Sequence, residues 1–300
     1  MRIAVSGASG LLGTALVEAL EPEHEVVRLV RRPAAIHTER TWDPAAGTIQ
    51  GQGLADVDAV INLSGAGLAE RRWTPTRKRQ LLESRIQSTT TLHRHASESE
   101  RCGVMLSASA IGFYGDTGDR VVDESDVHGD GFLAGLAAQW EAAAPATATL
   151  RVAHLRTGLV VAPGGGFLAP QLPLFRCGLG GRTGDGTQWQ SWISIVDWVR
   201  AVQHLLHSDM PSHDRATPVN LVAPNPVTNA DFVERLGHVL HRPTLLPVPL
   251  AVVRQLLGAE LVDEALLFSA RVMPRALESD GFTFEHPDVG IALRAVLRER

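Results

Sequence analysis

The sequence predicts an α/β fold, a doubly wound parallel sheet with a smaller C-terminal lobe. Three observations predict it. Short apolar, β-branched runs alternate with helix-period segments through the first half of the chain. A glycine triplet joins the first apolar run to the first helical segment. From about residue 163 the texture changes to Gly-rich loops and scattered helices.

"RIAVSG" (2–7) is a short apolar run that ends in Gly, as a buried strand does. "LLGTALVEAL" (11–20) places Leu12, Leu16, Ala19 and Leu20 at helical spacing. "HEVVRLVRR" (24–32) is β-branched and strand-like, and Pro33 closes it. "DVDAVINLSG" (56–65) is a further strand ending in small residues, and a long polar helix covers 75–98. "GVMLSAS" (103–109) and "LRVAHLRTGLVV" (150–161) each read as one strand, on either side of a helix at 131–144. This alternation implies βαβ units, so the sheet is parallel and carries helices on both faces. After the Gly-rich stretches 163–166 and 176–190, helix returns at 194–207 and 229–240 with a strand at 219–223 between them. Helical pieces such as "PLAVVRQLLG" fill the end.

Composition excludes several classes of function. The net charge of −5 offers no basic field to nucleic acid or anionic membrane. No apolar run approaches the ~18 residues that a membrane helix needs, and the start lacks a signal-peptide pattern. Cys102 and Cys177 read as free thiols, so a cytoplasmic location is expected. No metal site is expected: His93 and His95 are two residues apart and do not share a helix face.

The glycine triplet carries the chemistry. Gly7-Ala8-Ser9-Gly10-Leu11-Leu12-Gly13 has the spacing G-x-x-G-x-x-G between a strand and a helix. Gly7 makes the tight turn, Gly10 lets backbone N–H groups approach a pyrophosphate, and Gly13 lets the helix pack on the sheet. The phosphates then lie at a helix N-terminus, where unpaired N–H groups and the dipole favour negative charge. An NAD site places a carboxylate near the end of the second strand. Here that strand ends in Arg31 and Arg32. Two guanidiniums suit a 2′-phosphate, so NADP(H) is the expected cofactor. The alternative is a pair of solvated arginines.

With these motifs in view, the chain resembles the extended short-chain dehydrogenase/reductase superfamily. Within it, the chain is similar to the small epimerase-family proteins of the NAD-dependent epimerase/dehydratase group, which have a C-terminal domain of unknown function. The matching stretches include "VSGASGLLG" (5–13), "INLSGAGL" (61–68), "SASAIGFYGDTGD" (107–119), "FLAGLAAQWEAAA" (132–144) and "LGGRTGDGTQWQSWISIVD" (179–197). "SARVMPRALESDGFTFEHPD" (269–288) extends the likeness over nearly the whole chain. The resemblance implies a Rossmann-type core at 1–165, to which 194–225 returns. It implies a substrate or partner lobe at 166–193 and 226–300, with 243–300 family-specific.

The resemblance assigns Gly7, Ser9, Gly10, Leu11, Leu12 and Gly13 to the phosphate loop and Arg31 and Arg32 to the adenosine phosphate. Leu63, Ser64 and Gly65 fall where a strand ends over the cofactor; the alternative is an ordinary strand–turn junction. Arg85 matches an arginine that reaches the cofactor, or is a surface helix arginine. Ser109 matches the catalytic Ser/Thr and Ser107 lies beside it; both also suit a strand end. Trp189 and Trp192 either wall a substrate pocket or pack the junction between lobes.

One departure matters. The superfamily transfers protons through a Tyr-x-x-x-Lys pair, and those positions here are Leu133 and Ala137. The chain has one tyrosine, Tyr114, and its one lysine, Lys78, precedes it. The expectation is therefore an NADP(H)-dependent oxidoreductase or epimerase on an unknown small molecule, with Ser109, Tyr114, Asp116 or a water handling the proton. The alternative is an NADP(H)-binding regulatory or interaction protein with little turnover, linked to cell division. A monomer or weak homodimer is expected.

Overall fold

The apolar runs become one eight-stranded sheet in the computed structural model, which describes residues 1–298. Its strands include β1 (Arg2–Ser6), β2 (Glu25–Val30), β3 (Glu39–Asp43), β4 (Thr48–Ile49), β5 (Ala59–Asn62) and β6 (Val104–Ala110). The strands Arg151–Thr157 and Thr217–Leu221 complete it. The spatial order runs from Thr217–Leu221 through Arg151–Thr157, β6, β5, β1 and β2 to β3 and β4. Every pairing is parallel except β3 with β4. The chain turns back across the sheet beside β1, and a crevice opens at such a switch point beyond the strand ends.

The helices include α1 (Leu11–Leu20), α2 (Pro75–Ser97), α3 (Phe132–Ala142), α4 (Leu172–Arg176), α5 (Ile195–His207) and α6 (Asn229–Leu240). Strand period 2 divides the core. Ile3 and Val5 pack with Leu16 and Leu20 of α1 and Trp198 and Leu205 of α5. Ala4 points to the other face, with Val27, Met105 and Leu92 of α2. Both faces are therefore covered, as the near-continuous apolar strands require. Helix starts follow local chemistry. Thr74 accepts from the Arg77 N–H ahead of Pro75, and Ser194 and Thr228 cap α5 and α6 in the same way.

The structure corrects the sequence reading at two places. The run 150–161 is two strands, not one. Gly158 breaks it, because a Cβ there would meet the Ser191 carbonyl oxygen at 2.6 Å. The second piece, Leu159–Ala162, leaves the main sheet and pairs with Gly165–Gly166 and Trp192–Ser194. The β3–β4 hairpin was not anticipated. Its sequence "ERTWD" is mostly polar, and its one deep anchor is Trp42, which only the fold brings into the core.

The three-stranded piece, α4, α6 and the helix Val289–Arg298 share a second core built around Phe175, Trp192, Phe232 and Leu293. The strand Arg271–Val272 pairs with Val121–Val122, so the C-terminal region is stitched to the segment after β6. No helix of the described residues is long and apolar enough to cross a membrane.

Candidate active site

The glycine loop turns off β1 with Gly7 at φ +70°, a left-handed conformation that favours Gly. A Cβ on Gly7 would lie 2.7 Å from the Leu63 carbonyl group, and one on Gly13 would collide with the Gly7 carbonyl oxygen. Gly10 caps α1 in an extended conformation, with no side chain accepting from the first turn. The first N–H groups of α1 are therefore left for another acceptor. Ser9 and Leu11 are exposed beside them, and Leu12 packs against the core. Gly165 packs on Leu11, so the loop 163–166 borders this helix end.

Arg31 and Arg32 follow β2 at the same edge of the sheet. Arg31 is exposed and makes no ion pair or hydrogen bond among the described residues. Arg32 is engaged: Nη1 donates to Glu39 Oε2 at 2.8 Å, and Nη2 pairs with Glu39 Oε1. Arg32 holds the Glu39 carboxyl down to about 2. The two arginines are thus unequal, one free and one clamped.

Beyond β5, Leu63, Ser64 and Gly65 form a turn against the glycine loop. Asn62 pins it: its Oδ1 accepts from Ser6 Oγ at 2.7 Å and from the Ser64 N–H at 3.2 Å. Its Nδ2 donates to Thr89 of α2 at 2.9 Å. Arg85 of α2 packs on Gly65 and lies 5.0 Å from the Trp140 ring centroid. It is buried and has no carboxylate partner among the described residues; Nη1 donates to the Leu81 carbonyl at 3.0 Å and Nε has no partner. Burial, reinforced by Arg77, pushes the guanidinium down to about 10. A buried cation without a counter-ion is costly unless a ligand supplies the charge. On β6, the buried Ser107 hydroxyl also has no partner.

Ser109, two residues further along β6, begins a chain of side chains. Its Oγ donates to Glu141 Oε1 of α3 at 2.7 Å. Arg156 donates to both Glu141 oxygens, from Nε and Nη2, each at 2.9 Å. Its Nη1 donates to the Tyr114 hydroxyl at 2.9 Å, and its guanidinium lies 3.5 Å from the Phe113 ring centroid. Tyr114 donates in turn to Asn220 Oδ1 at 2.7 Å. Burial pushes the Tyr114 hydroxyl up to about 12. Asp116 stays outside this chain and accepts from the Gly118 N–H at 2.9 Å.

Leu133 and Ala137 lie on α3 where the resemblance led one to look for Tyr and Lys. Ala137 is buried, and Leu133 packs on Gly112 just after β6. Glu264, from the C-terminal region, caps the helix by accepting from the Phe132 N–H at 3.0 Å and the Leu133 N–H at 2.8 Å. A carboxylate at a helix N-terminus also meets the favourable end of the dipole. Lys78 pairs with Glu260 and sits 4.9 Å from the Phe132 ring centroid.

After β6, Ile111, Leu159, Phe167, Trp189, Gln190 and Phe268, among others, line a narrow cleft with room for about one water molecule. The two tryptophans divide the roles offered to them. Trp189 lines the cleft and donates to Asp119 at 2.9 Å. Trp192 is fully buried and packs the lobe, donating to the Asn225 carbonyl at 3.0 Å.

The model of the NAD dependent epimerase/dehydratase family matches residues 3–216. The chain belongs to that family. A domain of unknown function, DUF1731, matches residues 248–296, the region that caps α3. Epimerase family protein Mb2239 of Mycobacterium bovis is 45% identical over 97% of this chain and 96% of its own length. The crystal structure of human epimerase family protein SDR39U1 with NADPH superposes with a TM-score of 0.90 at 32% identity, covering 100% of both chains. A nucleoside-diphosphate sugar epimerase of Corynebacterium glutamicum gives 0.76 at 33% identity, over 99% of this chain and 58% of that one.

The structure brings the glycine loop, residues 63–65 and Arg85 into contact with one another, and Arg31 and Arg32 follow β2 at the same end of the parallel strands. It sets Tyr114 to one side, in a buried hydrogen-bond network. Sequence reasoning missed Glu141, Arg156, Asn220, Gln190 and Glu264. Glu141 had a signal: a carboxylate on α3 one turn beyond Ala137. The others lie far apart in the chain and meet only through the fold.

Proposed function

We propose that the chain binds NADP(H) along the glycine-loop crevice and acts as an oxidoreductase or epimerase-like enzyme on a small molecule held beyond Ser109. The observation that carries this reading is the set of donors left open at one sheet edge: the first N–H groups of α1, the Arg31 guanidinium and the buried Arg85. These fit a phosphorylated dinucleotide. The human relative solved with NADPH supports the same reading. When bound, the cofactor supplies or accepts hydride.

The chain's own residues handle the proton. A substrate hydroxyl at Ser109 gives its proton to Oγ as the serine hydroxyl passes its own to Glu141. Arg156 holds the Glu141 carboxylate with two bonds and so fixes the relay. Tyr114 is assigned a positioning role through Arg156, because its hydroxyl accepts from Arg156 and donates its hydrogen bond to Asn220. A cytoplasmic setting, where Cys102 and Cys177 stay reduced, belongs to this reading.

Calorimetry with NADPH and NADH tests the cofactor; equal affinities would overturn it. Turnover is sought by following NADPH fluorescence over a panel of alcohols and carbonyl compounds. Ser109→Ala and Glu141→Gln are each expected to lower kcat by about 10²–10⁴-fold with unchanged NADPH affinity. Full activity in both variants would remove the relay.

One observation favours a second reading, an NADP(H)-gated interaction protein. Glu264 of the C-terminal region grips the helix that lacks the proton-transfer pair. On that reading NADPH alters amide exchange at 248–268, and no substrate in the panel consumes it.

A further inference from the structure

The net charge of −5 hides an uneven distribution. No Asp or Glu occurs at 142–184 or at 241–259, and the second stretch lies against the end of the first. Arg242 Nε donates to the Arg176 carbonyl at 2.8 Å, and the Val248 N–H donates to the Arg182 carbonyl at 2.9 Å. Between those bonds Gly178 touches Pro243, and a Cβ on Gly181 would collide with the Leu246 carbonyl oxygen. Residues 176–182 and 242–248 therefore run side by side. The helix α7 (Leu250–Leu257) follows directly.

This face exposes large apolar side chains. Leu174 and Leu179 stand on one stretch, and Leu245, Leu246, Val252 and Leu256 on the other. Solvent reaches 88% of Leu245 and 68% of Leu256. None of the residues of α7 is buried, so the helix forms a ridge, and Val252 and Leu256 are four apart on one side of it. The cations beside them lack counter-ions. Arg176, Arg182 and Arg242 are exposed and make no ion pair among the described residues. The same holds for Arg72, whose Nε donates to the Leu256 carbonyl at 3.1 Å. The carboxylates that follow these stretches are engaged elsewhere. Glu260 pairs with Lys78, Asp263 pairs with Arg254, and Asp185 accepts from the Thr187 N–H and hydroxyl. Clustered exposed leucines mark a contact with something apolar. Unpaired arginines among them require that it also be anionic. A ridge without a groove suits a soft surface that leucines can enter while arginines stay at the headgroups.

We infer that the face formed by 174–182, 242–248 and α7 docks peripherally on an anionic lipid surface, with Leu245, Val252 and Leu256 entering the headgroup layer and Arg176, Arg182 and Arg242 pairing with lipid phosphates. The overall negative charge does not prevent it, because charges more than a Debye length of about 8–10 Å from the surface are screened. The docking uses no residue of the cofactor site or of the Ser109 relay and goes beyond the function proposed above.

Vesicle co-sedimentation tests it, with phosphatidylcholine vesicles and with equimolar phosphatidylcholine–phosphatidylglycerol vesicles. Wild type is expected to partition onto the mixed vesicles at least about tenfold more strongly than onto the neutral ones, and high salt should narrow the gap. Leu245→Ser combined with Leu256→Ser should weaken partitioning about tenfold or more, because two inserting side chains are lost. Arg176→Glu combined with Arg242→Glu should bring the mixed vesicles down to the neutral level. All four side chains are exposed, so both double variants should keep the wild-type melting temperature and NADPH affinity. Equal partitioning onto the two vesicle types, or partitioning unmoved by either double variant, would overturn the inference. Absence of vesicle binding would also overturn it and leave the face to a protein partner. Light scattering without lipid covers the remaining occupant. A dimer that Leu245→Ser with Leu256→Ser dissociates would assign the face to a second copy of the chain and overturn the lipid reading. NADPH affinity in the same samples reports on the cofactor reading separately.

Discussion

The glycine-loop end and the Ser109 end of the candidate site are built from opposite materials. At the glycine loop, the proposed cofactor site rests on missing side chains: Gly7 and Gly13 let backbone meet backbone, and Gly10 leaves a helix end uncapped. At the Ser109 end, the proposed relay rests on long polar side chains, with Glu141, Arg156, Tyr114 and Asn220 linked through one network. A backbone site tolerates almost no added atom. A side-chain network tolerates changes in shape but not the loss of one charge. α3 keeps its place through Glu264, Trp140 and Glu141, with Leu133 and Ala137 where the resemblance implied Tyr and Lys.

The largest effect is expected at the backbone end. Gly13→Val would drive two methyl groups into the Gly7 carbonyl, and the loop cannot move without losing its contact with Leu63. We expect NADPH affinity to fall by more than about 100-fold, with overpacking costing roughly 1–3 kcal/mol of stability. Calorimetry and urea unfolding measure the two, and retained affinity would show that the loop is softer than its contacts imply.

At the network end, Arg156→Leu leaves Glu141 buried without its counter-ion. Removing one partner of a buried pair costs about 3–5 kcal/mol. Urea unfolding should reveal a loss of that size while NADPH affinity changes less than about threefold. A large loss of affinity would mean the two ends are coupled, and the contrast drawn above would fail.

A smaller effect separates the arginines. Arg31→Ala should reduce the preference for NADPH over NADH about tenfold or more, the worth of a charge-assisted contact. Arg32→Ala should do less, since Glu39 already occupies that guanidinium. Equal effects in calorimetry would show that the Arg32–Glu39 pair opens to receive the 2′-phosphate.

The smallest effect is spectroscopic. Tyr114 is the only tyrosine, so tyrosinate absorbance reports it alone. Its folded pKa is raised to about 12 from 10. Below pH 10 both states keep the proton. Between pH 10 and 12 the unfolded chain loses it first, so stability falls as pH rises through that window. The folded protein should show little tyrosinate at pH 10.5. Simple titration near 10 would place the hydroxyl in water and return Tyr114 to the list of proton carriers.

The sequence by itself determined the architecture and the cofactor end. A strand, three spaced glycines and a helix are contiguous, and their geometry is local, so Gly7, Gly10 and Gly13 could be assigned roles from order alone. The alternation of strands and helices fixed a parallel sheet for the same reason. The absence of Tyr and Lys from α3 was equally plain. Tertiary structure decided which polar groups meet beside that helix. Ser109, Glu141, Arg156, Tyr114 and Asn220 come from separate elements spread over more than one hundred residues of chain, and only the packing of three adjacent strands, α3 and the turn after β6 brings them within hydrogen-bond reach. It also decided that Arg32 is clamped while Arg31 is free, because Glu39 sits on an edge strand whose polar sequence gave no sign of it. Gln190 shows the limit most clearly. A glutamine in a loop-like stretch carries no message until the fold buries it and leaves its carboxamide oxygen unpaired.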